Sequence, residues 1–154
     1  MSSTRGSVKP AWVIDTVILQ KANAPIIKKP RANSEFARRV SLLEKLARGT
    51  AFILYSPALL HEYGEHIKEP RNEFVKLFLE LLASSKHAAR NWHSPWSGGE
   101  RARARGCRYP SHDDHLLRTA IRLAEGTTIY SEDRPLLRTN QCIYRTFRVR
   151  ISSI

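Results

Sequence analysis

Four acidic residues at wide intervals along the chain are candidates for a metal site. Asp15 and Asp133 each follow a short apolar segment. Glu62 and Asp113 lie at predicted helices, Glu62 within the first two turns of one and Asp113 at the start of another. Two carboxylates ~4 Å apart repel each other by ~4 kcal/mol at an effective dielectric of 20, so a cluster requires protons or a cation. Mg²⁺ and Mn²⁺ favour oxygen ligands, and two such ions bound close together can catalyse the cleavage of a phosphodiester. We therefore expect one of these metals at the acids.

The elements that must position these acids form the pattern of a parallel sheet. Residues 11–15, 51–55 and 127–130 are short apolar runs, typical of buried strands. They alternate with predicted helices, which indicates an α/β fold with a mainly parallel sheet. The carboxyl ends of strands in such open sheets meet at one crevice. The acids are therefore expected to lie together at that edge.

Four helices are predicted from apolar residues at helical spacing and from start signals. The Ser-Pro pair at 56–57 is the N-cap and first turn of the helix that carries Glu62 and ends before Pro70. Ser111, with Asp114 three residues later, predicts a capping box for the helix that ends before residue 126. The apolar faces of the other two helices consist of Phe36, Val40, Leu43 and Leu46, before Gly49, and of Phe74, Leu77, Phe78, Leu81 and Leu82.

The remaining segments are irregular or short. Residues 25–33 and 91–110 are rich in Pro, Gly or basic residues and are predicted to be loops. Residues 135–137 predict a turn, and the alternation of apolar and polar residues over 147–152 predicts a last strand. The length of 154 residues fits a single domain over 1–154, with 1–10 as a flexible tail.

Composition limits the class of protein. No apolar run reaches the ~18 residues of a membrane span, and residues 1–10 lack the apolar segment of a signal peptide, so we expect a cytoplasmic protein without membrane contact. Cys107 and Cys142 are far apart in the sequence and form no CxxC pair. We therefore predict neither a disulfide framework nor a structural zinc site, which suits a reducing compartment.

The charge balance indicates a polyanionic partner. The formal net charge is +12, and every basic residue after Lys86 is arginine, the side chain that binds phosphate bidentately. A run of charges is usually a solvated face, but this surplus favours RNA. The candidate RNA-binding residues flank the third and fourth acids: Arg101, Arg103, Arg105, Arg108, Arg134 and Arg138.

Four motifs resemble the PIN-domain nucleases, close to the branch described as toxins of toxin–antitoxin pairs. They are VIDT (13–16), SPALLHEY (56–63), HDDHLLRTA (112–120) and TIYSEDRPLL (128–137). The resemblance implies a three-layer fold, with about five mainly parallel strands and helices on both faces. It also implies a metal-dependent ribonuclease whose partners are RNA and an antitoxin protein, and it allows a homodimer.

Carried over by position, the resemblance assigns catalysis and metal binding to four acids: Asp15, Glu62, Asp113 and Asp133. Asp114 is implied as an accessory metal ligand, and Thr16 and Ser131 as accessory polar groups. The chain departs from the pattern at Val17, where the family usually has Asn or Ser that orients the site. This departure leaves catalytic strength open.

Simpler interpretations compete with each assignment. Asp15 and Asp133 are also suited to caps or turns, Asp113 and Asp114 to the first turn of a helix, and Glu65 or Glu69 could replace Glu62. His112 and His115 are not expected to bind the metal. The leading hypothesis is an endoribonuclease that cuts single-stranded or looped RNA, and the alternative is a non-catalytic RNA-binding or scaffold protein on a PIN-like fold. A small phosphatase is a third class, but it has little need for so many arginines.

Overall fold

The computed structural model describes residues 9–91, 96–121 and 126–154, and five strands within these ranges form one sheet. The order across the sheet is β3-β2-β1-β4-β5, and all neighbouring strands are parallel. The predicted α/β class is confirmed, and the arrangement is consistent with a three-layer PIN-like fold. The strands are β1 (Ala11–Ile14), β2 (Phe52–Tyr55), β3 (Ala88–Arg90), β4 (Thr127–Tyr130) and β5 (Arg150–Ser152).

Helices connect the strands, and the local sequence explains where several of them begin. The side chains of Ser34, Ser56 and Asn72 each accept a hydrogen bond from the backbone N–H three residues later, which caps the helices that follow. The helices are α1 (Thr16–Ala22), α2 (Glu35–Ala47), α3 (Pro57–His66), α4 (Glu73–Leu81), α5 (Glu100–Gly106), α6 (Asp114–Ala120), α7 (Arg134–Leu137) and α8 (Asn140–Phe147).

The central strands are buried on both faces. Val13 and Ile14 in β1, like Ile53 and Leu54 in β2, have no exposed surface. Because successive side chains of a strand point to opposite faces, both sides of the sheet must be covered there. The residues that follow β1 and β4 therefore lie together at the carboxyl edge of a sheet that is covered on both faces.

Some predicted boundaries are wrong. The predicted loop 91–110 contains α5, whose sequence ERARARG consists largely of good helix formers. The last strand does not begin at 147, because Phe147 ends α8 and pairing begins at Arg150. The predicted turn at 135–137 belongs to α7, and the helices α1 and α8 and the short strand β3 have no counterpart among the predicted elements.

The predicted capping box at Ser111 is also wrong. Residues 111–113 form a 3-10 turn, and α6 begins at Asp114 without a side-chain cap. Two other predictions concern segments outside the described residues, namely most of the tail (1–8) and the last part of the predicted helix (122–125). No helix in the described ranges is long and apolar enough to cross a membrane.

The two cysteines correct the prediction that the chain lacks a disulfide. Cys107, directly after α5, and Cys142 in α8 are bonded to each other, with their Cα atoms 5.5 Å apart. Their separation of 35 residues in the sequence gave no indication of this proximity. The cysteines therefore no longer support the expectation of a reducing compartment.

We expect replacement of both Cys107 and Cys142 by serine to lower the free energy of unfolding by about 2–4 kcal/mol, because the crosslink restricts the unfolded chain. Urea unfolding without reductant measures this difference. Reductant should bring the midpoint of the native sequence to that of the double variant and leave the variant unchanged. Identical midpoints without reductant would contradict a bond at this place.

Candidate functional site

Asp15 lies at the carboxyl end of β1, buried beside the end of β4. Its backbone N–H donates to the carbonyl of Tyr130 at 3.0 Å, and the Ser131 hydroxyl donates to its Oδ2 at 2.8 Å. Burial raises the pKa of Asp15; the bond from Ser131 opposes this rise, and the charge of Glu62 adds to it. The parallel pairing of β1 with β4 thus places the first predicted acid next to the loop that carries the fourth.

Glu62 reaches the same edge from α3. The neighbouring Tyr63 is buried, and its hydroxyl donates to the carbonyl of Ile14 at 2.5 Å, which fixes the helix against the end of β1. The Glu62 carboxylate accepts a hydrogen bond from Thr16 and lies 2.7 Å from Nε2 of His115. The contact with His115 lowers the pKa of Glu62 against the opposing effect of burial.

A network of polar contacts positions the segment that carries Asp113 and His115. The Tyr109 hydroxyl donates to the Asp113 carbonyl at 2.6 Å. One turn later, Thr119 donates to the His115 carbonyl at 2.7 Å, and its hydroxyl oxygen lies 2.7 Å from that of Ser56 at the start of α3. The ends of β2 and α6 are therefore tied together beneath the acids.

Asp113 is the most unusual acid of the group. Only 8% of the residue is exposed, and its Oδ2 atom is buried without a hydrogen-bond partner among the described residues. Nε2 of His112 lies 3.3 Å from this oxygen. Burial raises the pKa of Asp113 to about 6, and the charges of Asp15 and Asp133 contribute to the rise, whereas His112 and His115 oppose it.

Asp133 completes the arrangement directly before α7. Its backbone N–H donates to the Ser131 hydroxyl oxygen at 3.0 Å, so a single serine contacts both Asp15 and the turn that carries Asp133. Ligand atoms of His112, Asp113 and Asp133 all lie within 4.8 Å of one another, which could accommodate a metal ion. The predicted acids also act on one another electrostatically. The charge of Glu62 raises the pKa of Asp15, and the charges of Asp15 and Asp133 raise the pKa of Asp113.

Asp114 and Arg105 form an ion pair with each other, which differs from the roles predicted for them. Arg105 donates to both carboxylate oxygens of Asp114 and to the carbonyl of Tyr109. The expected accessory metal ligand and one expected RNA-binding residue thus bind each other. The sequence gives no sign of this pair, because its pattern predicts a loop at Arg105 and not the helix α5.

The other predicted RNA-binding arginines are exposed. They have no carboxylate within 4 Å in the part of the chain that the structure describes, and Arg103 lies 5.9 Å from the centre of the Phe147 ring. Nothing in their surroundings assigns them a ligand, so RNA binding stays a prediction for these residues: Arg101, Arg103, Arg108, Arg134 and Arg138.

Four residues near the site were missed or discounted by sequence reasoning. His112 and His115 contact Asp113 and Glu62, and the only available signal was their position on either side of Asp113 and Asp114. Arg39 donates to Glu132 at 2.7 Å through two nitrogens and so stabilises the loop next to Asp133. Nothing in the sequence spacing indicated this long-range pair.

The departure at position 17 leaves no polar side chain at that place. Val17, in the first turn of α1, is 37% exposed. Thr16 and His115 contact the Glu62 carboxylate instead. The competing acid Glu65 is exposed beside His61 and Lys68, and Glu69 is exposed as well, so neither is comparable to Glu62.

No protein-family model matches the chain, and a search of curated proteins finds no match either. Any functional assignment therefore depends on the motifs and on the arrangement of side chains described above.

Exchange of Asp113 for Asn is expected to stabilise the metal-free protein at pH 7 by about 2 kcal/mol. The pKa of the folded-state carboxyl is about 6 against an ordinary 3.8, so the native state binds more protons between these values. The contribution of Asp113 to stability should therefore fall as the pH rises from about 4 to 6, so the advantage of the variant over the native sequence should grow over this range and persist above it. Urea unfolding with a chelator over this pH range measures the effect.

The same exchange at Asp114 is the matched control. Its carboxylate is paired with Arg105, so Asp114→Asn should lower stability at pH 7, by about 1 kcal/mol. Opposite signs for two adjacent, isosteric substitutions would support the description of the site. A loss of stability for Asp113→Asn at pH 7 would contradict it.

Proposed function

We propose that the chain is a PIN-like endoribonuclease that hydrolyses RNA phosphodiester bonds with Mg²⁺ or Mn²⁺. The observation that carries the proposal is the meeting of ligand atoms from Asp113, Asp133 and His112 beside the buried Asp15. These residues come from separate stretches of the chain, and the positions of the three acids are those that the resemblance to the PIN nucleases implies.

The donor set fits a divalent cation. The Oδ2 atom of Asp113 is buried without a hydrogen-bond partner in the described ranges. A positive ion would offset the burial and the repulsion by Asp15 and Asp133 that together raise the pKa of Asp113. Carboxylate oxygens suit both Mg²⁺ and Mn²⁺, whereas an imidazole ligand favours the transition metal. His112 therefore makes Mn²⁺ the better of the two candidates.

Each acid has a role that follows from its surroundings. Asp113 and Asp133, with His112, would hold the cation, which when bound supplies a Lewis acid and lowers the pKa of its water. Asp15, held by Ser131, adds negative charge beside them. Glu62 is half-buried and is oriented by Thr16 and His115. The net charge of +12 provides the complementary surface for RNA.

One observation favours the alternative, a PIN-like protein that binds RNA without cutting it. The Glu62 carboxylate already contacts Thr16 and His115, and one oxygen of Asp15 accepts from Ser131. Carboxylates with such partners are less available to a second cation. The alternative therefore predicts RNA binding that does not depend on metal.

The toxin role belongs to the same proposal. An antitoxin that covers the acids and a homodimer rest on the resemblance alone, and a cytoplasmic location rests on the composition of the sequence.

We expect Asp113→Asn and Asp133→Asn to abolish RNA cleavage by the purified protein, because both remove a carboxylate from the proposed metal site. The assay follows a labelled RNA with single-stranded and looped segments in the presence of Mn²⁺, Mg²⁺ or a chelator. Asp114→Asn, assayed well below its unfolding midpoint, is the control that should retain cleavage. If all of these proteins, including the native sequence, bind the RNA equally well and none of them cleaves it, the alternative is supported.

His112 should influence the choice of metal. We expect His112→Ala to weaken activation by Mn²⁺ more than activation by Mg²⁺, because it removes the nitrogen ligand and leaves the carboxylates in place. Metal titrations of the cleavage rate, compared with the native sequence, measure this change. An equal loss with both metals would exclude the imidazole as the source of selectivity.

A further inference from the structure

The C-terminal part of the chain carries a concentration of positive charge without acids. Residues 134–154 contain five arginines and neither Asp nor Glu. Three of these arginines, Arg145, Arg148 and Arg150, fall within six residues at the end of α8 and the start of β5. All three are exposed.

Two of these guanidinium groups are positioned by one aromatic ring. The guanidinium carbon of Arg150 lies 4.6 Å from the centre of the Tyr144 ring, and that of Arg148 lies 5.5 Å from it. Arg150 also donates to the Tyr144 hydroxyl at 3.5 Å. Stacking on an aromatic ring restricts these side chains without neutralising their charge. A bound anion would therefore meet cations whose side-chain freedom is already reduced.

Other arginines of the protein are used differently. Arg39, Arg48 and Arg105 each form an ion pair with a carboxylate. Across the residues that the structure describes, no carboxylate lies within 4 Å of Arg145, Arg148 or Arg150. These three arginines, called the arginine cluster below, thus have no carboxylate partner in the described ranges. Tyr144 positions two of them.

The backbone at Arg148 indicates that this side chain is held at a cost. Arg148 ends α8 in the left-handed conformation, with φ of 59°, where glycine is normally preferred. A residue with a side chain loses about 1–2 kcal/mol there. Glycine at this position would remove the charge and relieve the backbone together.

A groove of about 390 Å³ runs beside the cluster, between α8 and β5. Its walls combine cationic, amide and hydroxyl groups, which suit a phosphodiester backbone: Asn140, Gln141, Tyr144, Arg145, Arg150 and Ser152. One end of the groove lies at Ser152, whose carbonyl accepts from the backbone N–H of Ser131 in the loop of the candidate site at 3.0 Å. A chain that lies in the groove can thus approach the loop that holds Asp133.

We propose that the groove at Tyr144 binds the phosphate backbone of a single-stranded nucleic acid and directs it toward the acids. Arg145 and Arg150 in the groove wall, and Arg148 beside the groove, contact phosphates of one strand, and Tyr144 holds two of the three guanidiniums in place. The choice of RNA as the polyanion rests on the proposed function. The binding itself requires neither metal nor cleavage, so it can be tested alone.

The test compares two triple variants that lose the same charge. Arg145→Gln, Arg148→Gly and Arg150→Gln remove the cluster, and glycine suits the backbone at 148, so the fold is retained. The control replaces three exposed lysines that precede β3 in the sequence with glutamine: Lys68, Lys76 and Lys86. Thermal unfolding of both proteins verifies that each is folded.

Affinity for a labelled single-stranded oligouridylate is measured with a chelator at several salt concentrations. We expect the cluster variant to bind at least about tenfold more weakly near 0.1 M salt, and its logarithmic salt slope to be smaller by about 2, at ~0.7 per lost phosphate contact. The lysine control should change both quantities much less. Equal losses in the two variants, or an unchanged slope in the cluster variant, would overturn the proposal.

A competition experiment distinguishes a nucleic-acid strand from free phosphate. Inorganic phosphate at the same phosphate concentration should not displace the oligouridylate, since it cannot contact three guanidiniums at once. Displacement at that concentration would identify the groove as a site for small anions and contradict the proposal. Cleavage by the native sequence is measured separately. If the nuclease proposal is wrong, cleavage is absent, and if the groove proposal is wrong, the cluster variant binds the oligouridylate as well as the lysine control does.

Discussion

The candidate site is organised around the repulsion between buried carboxylates. Asp15 and Asp113 are both buried, and the charge of Asp15 contributes to raising the pKa of Asp113. The surrounding groups reduce this cost in part: Ser131 donates to Asp15, and the imidazole of His115 lies among the acids. Burial lowers the pKa of His115, but the carboxylates of Glu62, Asp113 and Asp15 outweigh it and raise the pKa above its usual value. Part of the negative charge is thus balanced by the protein itself, and the remaining imbalance is expressed in the pKa of Asp113, raised to about 6.

The sheet and the positions of the main acids could be predicted because they depend on local patterns. β1, β2 and β4 are apolar runs whose burial follows from composition, and the acids follow such runs or lie beside helix starts. Parallel pairing then brings the strand ends to one edge. The short strand β3 has the sequence AAR, which carries no β signal, so it depends on its pairing with β2.

The partners of the acids could not be predicted, because they are tertiary contacts between distant segments. The pairs Arg39–Glu132 and His115–Glu62 join residues 93 and 53 positions apart. Arg105 engages Asp114 only because α5 places it there, and the disulfide is set by the approach of α5 and α8. Sequence spacing identified which residue types could do chemistry, whereas packing decided which of them remain free for it.

The contacts of Ser131 impose an asymmetry on the Asp15 carboxyl group. The serine oxygen accepts from the N–H of Asp133, and its single hydrogen points to Oδ2 of Asp15. This bond occupies one lone pair of Oδ2, so part of the acceptor capacity of the carboxyl group is committed to holding the turn. A proton or a cation that binds Asp15 must use the acceptor sites that remain. One side chain thus combines an architectural contact with an exchangeable one.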